Sequence, residues 1–173
     1  MIVGWLEQDS ADVAADEHWL TPGERECLAA MRFAKRRADW RLGRWTAKCA
    51  LAAFLALPDR AEDFARIEVR AAPSGAPEAF FLGRPAPASL SLSHSNGRAL
   101  CAVGPPGGAV GCDLERVEPR SARFVSDWFT RPEQQLVRAV PFTPRARLVT
   151  LLWSAKRYAI GRDRAIRHSE AGR

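Results

Sequence analysis

Ser89-Leu90-Ser91-Leu92-Ser93-His94 alternates polar and apolar residues without a break, and it opens a run of alternating signals and turns that ends at Gly111-Cys112-Asp113-Leu114-Glu115. Strict alternation is the mark of a half-buried strand. Ser95-Asn96-Gly97-Arg98 then reads as a hairpin, Ala99 to Val103 as a buried strand, Gly104-Pro105-Pro106-Gly107-Gly108 as a second turn and Ala109 to Glu115 as a third strand. The pattern predicts an up-down-up meander whose first and third strands run the same way, so that His94 and the Asp113/Glu115 pair share one edge. Residues i and i+2 of a strand face the same side, which sets the two carboxylates together and turns Cys112 and Leu114 away. Such a pair repels itself unless a cation lies between its members, and Mg²⁺ suits one or two carboxylates completed by water and phosphate. A solvated edge or half of a salt bridge is the plainer explanation of an Asp-x-Glu, and a histidine closing a strand is commonly structural.

Upstream, Arg66 to Arg70 and Ala79 to Leu82 read as strands flanking a loop at Ala72 to Pro77, followed by Gly83-Arg84-Pro85. Ile2 to Leu6 is a further candidate strand. Thr21-Pro22-Gly23-Glu24 combines an N-cap, a proline in the first turn and a capping-box glutamate, and predicts a helix with Leu28, Met31 and Cys27 on its apolar side. Asp39 to Leu57 predicts a second helix with Trp40, Leu42, Trp45, Cys49, Ala52 and Leu55 toward the core. Arg37, Arg41, Arg44 and Lys48 stack on one stripe of it. That stripe is either a solvated face or a seat for phosphate.

Downstream of Pro119 the pattern is helical. Phe124, Val125, Trp128 and Phe129 form an apolar cluster, Thr130-Arg131-Pro132-Glu133 opens a short helix, and Thr143-Pro144 opens another with Leu148, Leu151, Leu152 and Ala155 as its core face. Trp153, Lys156, Arg157 and Ile160 form the adjacent stripe. Residues 162–173 are polar and basic, and a frayed tail is expected there.

Composition bounds the function. The 173 residues are 47% apolar and 27% charged, enough for a packed core, and the formal net charge of +6 favours an anionic partner. The charge is local: residues 32–48 hold seven basic residues against one acid. The four cysteines have no metal-ligand spacing and read as buried reduced thiols. The longest apolar run, Cys49 to Leu57, is too short to span a bilayer, so a soluble, cytoplasmic protein with no membrane partner is expected. No stacking platform, helix-turn-helix or zinc module points to nucleic acid.

Taken together, Asp113-Leu114-Glu115 after Gly111, the Ser93-His94 strand end, the segment from Lys35-Arg36-Arg37 through Asp39-Trp40, Leu42-Gly43-Arg44-Trp45 and Ala47-Lys48, Gly83-Arg84-Pro85, and Trp153-Ser154-Ala155-Lys156 resemble the 4′-phosphopantetheinyl transferases of the surfactin-synthetase-activating type. The order and spacing agree over residues 1 to about 156. The resemblance implies an α+β enzyme of two similar subdomains in a pseudo-twofold arrangement, each a small antiparallel sheet packed with helices, with the second half incomplete. It divides the chain into residues 1–103, residues 104–160 carrying the metal site, and a divergent basic tail at 161–173. It implies transfer of the phosphopantetheine arm of coenzyme A to a serine of an apo acyl carrier protein or peptidyl carrier protein, with Mg²⁺ as cofactor. Asp113 and Glu115 match the metal ligands and, with Lys156, the catalytic residues; Ser93, His94, Arg37, Arg44 and Arg84 fall in motifs that bind coenzyme A.

The chain departs from this family at Arg157, where the family has a glutamate, and at Gly161, where a lysine is common. At about 5 Å and a dielectric constant near 20, a fixed cation opposes Mg²⁺ by roughly 6 kcal/mol, an upper figure because arginine can swing away. The loss of match after Lys156 leads to the expectation of a truncated or frame-shifted homologue. Three functions stand on the sequence: an active transferase, a coenzyme A-binding remnant with impaired catalysis, and a small basic nucleic-acid-binding protein.

Overall fold

The computed structural model describes residues 4–58 and 60–170, with backbone only for Ala61, Thr143 and residues 158–170. The architecture is α+β, with two three-stranded antiparallel sheets packed with helices. In the first sheet β1 (Gly4–Asp9) and β5 (Ser89–Ser95) flank β6 (Arg98–Gly104), and the second is ordered β2 (Ile67–Ala71), β3 (Pro77–Phe81), β4 (Arg84–Pro85). Both sheets are drawn from residues 4–104, whereas the resemblance places one in each half. A short helix, α3 (Ala61–Phe64), precedes β2, and from Pro105 onward the described residues add α4 (Ala122–Trp128), α5 (Arg131–Ala139) and α6 (Phe142–Glu170), with no strand.

The β5–β6 hairpin forms as its sequence dictates. Ser95 pairs with Arg98 across Asn96 and Gly97, both of which have positive φ (51° and 75°), the geometry of the tight turn that matches strand twist. Leu90 and Leu92 face helix α2 (Ala34–Phe54), which lies over the sheet. A Cβ on Gly43 of α2 would stand 3.1 Å from Leu92 Cδ2, so glycine permits the close approach of helix to strand.

The core gathers Trp19, Leu28, Leu51, Phe64, Ile67 and Val103 around α2. At its centre is a charged pair. Lys48 Nζ, fully buried, donates to Glu24 Oε2 at 2.5 Å and to the carbonyls of Trp19 (2.8 Å) and Phe64 (3.0 Å). Glu24 in turn accepts from the backbone of Thr21, closing the capping box of α1 (Pro22–Ala29), and from the backbone of Val69 in β2. Burial pushes the Lys48 ammonium pKa down, against the pull of Glu24.

Several expectations are corrected. The cationic stripe of α2 is dispersed: Lys48 is internal, Arg41 donates to the carbonyls of Ala14, Ala15 and Asp16, and Arg44 lies over the Trp40 ring. Cys27 is exposed, because it lies on the outer side of α1. On α6 the buried face is one position out of phase with the prediction. Val149 is buried, with Leu148, Leu152 and Trp153 against it, while Leu151 and Ala155 are exposed, because α4 and α5 dock on the Trp153 side. The frayed tail is helical as far as Glu170, a stretch without proline and with several good helix formers. Ile2 and Val3 of the predicted first strand, and the side chain of Ile160, lie outside the described residues.

Candidate active site

The segment from Ala109 to Glu115 is not a strand. The far edge of β6 is taken by β1, so no ladder position is open beside it. Instead the segment crosses the face of the first sheet opposite α2, where β5 presents serines. Cys112 N–H donates to Ser91 Oγ (3.1 Å) and Leu114 N–H to Ser93 Oγ (3.1 Å), so side-chain hydroxyls replace the carbonyls of a ladder. The paired positions advance together, so the segment runs with β5, as the meander reading required. Cys112 Sγ donates to the carbonyls of Ser91 and Leu100, which turns this side chain onto the sheet. Burial pushes its thiol pKa up.

Ser93 therefore does two things. Its hydroxyl accepts from Leu114 and donates to Asp113 Oδ1 at 3.3 Å, fixing the aspartate against the strand. Asp113 and Glu115 then converge on one cation, which is Arg157 from α6. A single guanidinium nitrogen lies 2.5 Å from Glu115 Oε1 and 3.6 Å from Asp113 Oδ1. The carboxylates are largely enclosed, at 8% and 12% side-chain exposure, and the arginine is half exposed. Arg120 stands 3.9 Å from the other Glu115 oxygen, pairs with Glu118 at 2.9 Å and lies over the Phe124 ring. Asp113 Oδ2 is buried and has no partner among the described residues.

The other predicted residues are not gathered here. Lys156 turns to α5 and pairs with Glu133 at 2.9 Å, above the Phe129 ring. This hydrogen bond, with the backbone N–H of Thr130, holds the Glu133 carboxyl pKa below its usual range. His94 is exposed on β5. Arg84, on β4 of the second sheet, and Arg37, in the first turn of α2, are both exposed. The Arg44 guanidinium is largely enclosed, its Nε unpartnered, and burial lowers its pKa. Among the described residues no contact joins these arginines to the carboxylate pair.

The Mg²⁺ implied by the resemblance is tested by this donor set. Asp113 and Glu115 supply two carboxylates, but both face Arg157, and among the described residues no three His, Cys, Asp or Glu side chains gather to hold a metal. An octahedral dication does not fit beside a guanidinium already seated between its two ligands. Reading by motif missed Ser91, Arg120 and Glu133. Ser91 was legible in the Ser-x-Ser alternation, whereas Arg120 and Glu133 become partners only through the docking of the C-terminal helices.

Residues 109–156, about a quarter of the chain, match the profile of the family described as the 4′-phosphopantetheinyl transferase superfamily. The matched stretch includes the carboxylate pair and ends on Lys156. No curated protein matches the chain. Among solved structures it is similar to a holo-(acyl-carrier-protein) synthase from Bacillus anthracis str. Ames in complex with CoA (3′,5′-ADP), at 25% identity over 58% of this chain and 91% of that one, TM-score 0.49. It is also similar to the holo-[acyl-carrier-protein] synthase of Neisseria meningitidis, at 20% identity over 58% of this chain and 94% of that one, TM-score 0.48. A third is the Helicobacter pylori holo-[acyl-carrier-protein] synthase in complex with coenzyme A, at 19% identity over 59% and 97%, TM-score 0.40. Among the described residues no helix is long and apolar enough to cross a membrane.

Proposed function

We propose that this chain moves the 4′-phosphopantetheine arm of coenzyme A onto a serine of an acyl or peptidyl carrier protein. The observation that carries the reading is the family-profile match over residues 109–156, which includes the Asp113–Glu115 pair. In the reaction the serine oxygen bonds to the phosphorus bearing the pantetheine arm and the bond from that phosphorus to the bridging oxygen breaks. Adenosine 3′,5′-bisphosphate leaves and the serine proton goes to a base. Transfers of this kind depend mainly on positioning and charge neutralisation. The carboxylate pair is the proposed proton acceptor at this site. Arg120 and Arg157 supply positive charge for the pyrophosphate. Ser93 and His94, with Arg37, Arg44 and Arg84, are the proposed coenzyme A contacts, and Lys156 reaches phosphate only by leaving Glu133. Mg²⁺ belongs to the chemistry that the resemblance implies, and the carboxylate pair as it faces Arg157 is not open to it.

The chain is read as a surfactin-synthetase-activating type that diverges after Lys156, working in the cytoplasm on an acidic carrier suited to its basic surface. A second reading has a specific observation in its favour. Arg157 holds both carboxylates, which supports a protein that binds coenzyme A but transfers poorly. The test is incubation with apo carrier protein and coenzyme A, with and without Mg²⁺, followed by intact mass of the carrier and calorimetry of coenzyme A binding. Gain of one arm, lost in Asp113→Ala, supports the transferase. Binding without mass gain supports the impaired form, and neither result in a folded protein removes both.

A further inference from the structure

We propose that Arg157 is a tethered cation that closes the Asp113–Glu115 pair against divalent metal, so that the chain carries its own counter-ion where a dication would otherwise sit. The idea rests on the reading of this pair as the reacting centre only for its functional meaning; the competition itself follows from geometry. One guanidinium nitrogen is hydrogen-bonded to Glu115 and lies 3.6 Å from Asp113, and so occupies the space between the two carboxylates that a shared metal ion would need. The carboxylates are built in: Asp113 is held by Ser93 and more than nine-tenths enclosed, and Glu115 is nearly so. The arginine arrives on α6 from the solvent side and is half exposed. The anionic half of the site is therefore rigid and the cationic half is removable.

Charge counting leads the same way. A guanidinium keeps its charge in proteins, so loss of a proton does not release it. It brings one positive charge to two negative ones, with Arg120 touching only the outer oxygen of Glu115. The uncompensated charge lies with Asp113, whose Oδ2 is buried and unpartnered among the described residues. A buried carboxylate oxygen without a partner is costly unless a cation is provided for it. Withdrawing Arg157 leaves two enclosed carboxylates facing each other, an arrangement a dication relieves.

The experiment titrates Mn²⁺ into the full chain, with neither coenzyme A nor carrier protein, and reads free Mn²⁺ by electron paramagnetic resonance. Wild type is expected to bind weakly. Arg157→Ala and Arg157→Gln are expected to bind tighter by on the order of ten- to a hundredfold, the scale on which groups touching metal ligands set affinity. Adding Asp113→Asn to either is expected to abolish the gain. Arg157 is half exposed on a helix, so these changes remove no core contact, and the glutamine variant keeps most of its stem. Equal binding by wild type and both variants overturns the proposal, as does absence of binding in all of them. Because carrier modification plays no part in the titration, an inactive transferase leaves this result standing, and failure here leaves the transfer reading untouched.

Discussion

Two cation–carboxylate centres of this molecule are built on opposite plans. Lys48 and Glu24 meet in the interior with essentially no exposure; both carboxylate oxygens accept from backbone N–H groups, and the ammonium donates to two carbonyls and to Glu24. Arg157 meets Asp113 and Glu115 at the rim, the cation is half in water, and one carboxylate oxygen is left unpartnered among the described residues. A sealed and fully satisfied network specifies structure. A centre with enclosed anions, a half-exposed cation and an unpartnered oxygen has capacity left for a ligand. The contrast separates the charges of this basic chain that serve the fold from those available to chemistry.

Opening the sealed centre is expected to have the largest effect. Lys48→Met leaves Glu24 buried and unpaired, and is expected to lower unfolding free energy by about 3–5 kcal/mol. Glu24→Gln combined with Lys48→Met removes both charges and is expected to recover a good part of that loss. Urea denaturation of the three proteins checks it. A loss under about 1 kcal/mol in the single variant would place Lys48 with surface pairs and erase the distinction.

The candidate site offers a smaller effect with a more specific signature. Ser93→Ala removes the acceptor of Leu114 N–H and the donor to Asp113 together, an expected loss of about 1–3 kcal/mol. Ser91→Ala is the matched control, since Ser91 Oγ holds Cys112 but does not touch Asp113. Both variants should loosen the crossing segment, but only Ser93→Ala should also depress transfer to carrier protein out of proportion to its stability. Equal losses of activity would mean that Ser93 acts as a clip for the chain and nothing more.

These two centres also show where sequence reasoning reaches and where it stops. The hairpin turn at Asn96-Gly97, the capping box of Thr21 and Glu24 and the amphipathic α2 are local, and local chemistry determines them. The direction of the Asp113 segment along β5 was legible from strand counting, and the family resemblance was legible from motifs in order. Lys48 was not. On a helical wheel it belongs to the cationic stripe, and only Glu24 and two carbonyls distant in sequence make its burial tolerable. The strand predicted at Ala109 to Glu115 failed for a similar reason: β1, remote in sequence, had already filled the edge of β6. Arg157 was visible as a departure from the motif, yet its seat between the carboxylates depends on how α6 docks. The α6 phase error has the same origin, because Leu148, Val149, Leu151, Leu152 and Trp153 spread apolar residues over more than one face and the partner helices choose between them.

The smallest expected effect concerns Glu133 and Lys156, and it bears on whether Lys156 is free to act. The Glu133 carboxyl pKa is depressed by the lysine, so the stabilisation it provides is present above its unfolded value, about 4.3, and is lost as pH falls through the lower folded value. Glu133→Gln should thus reduce stability by a few tenths to about 1 kcal/mol at neutral pH, as befits a quarter-exposed pair, with wild type and variant converging in acid. Urea midpoints across that pH range check the sign; a gap that widens in acid would refute it. The same variant asks a second question. If Lys156 must leave Glu133 to meet phosphate, releasing it should leave transfer unchanged or faster while Lys156→Ala slows it. If both substitutions slow transfer alike, the ion pair acts by holding α5 on α6, and the lysine's place beside the carboxylate pair in sequence is positional rather than chemical.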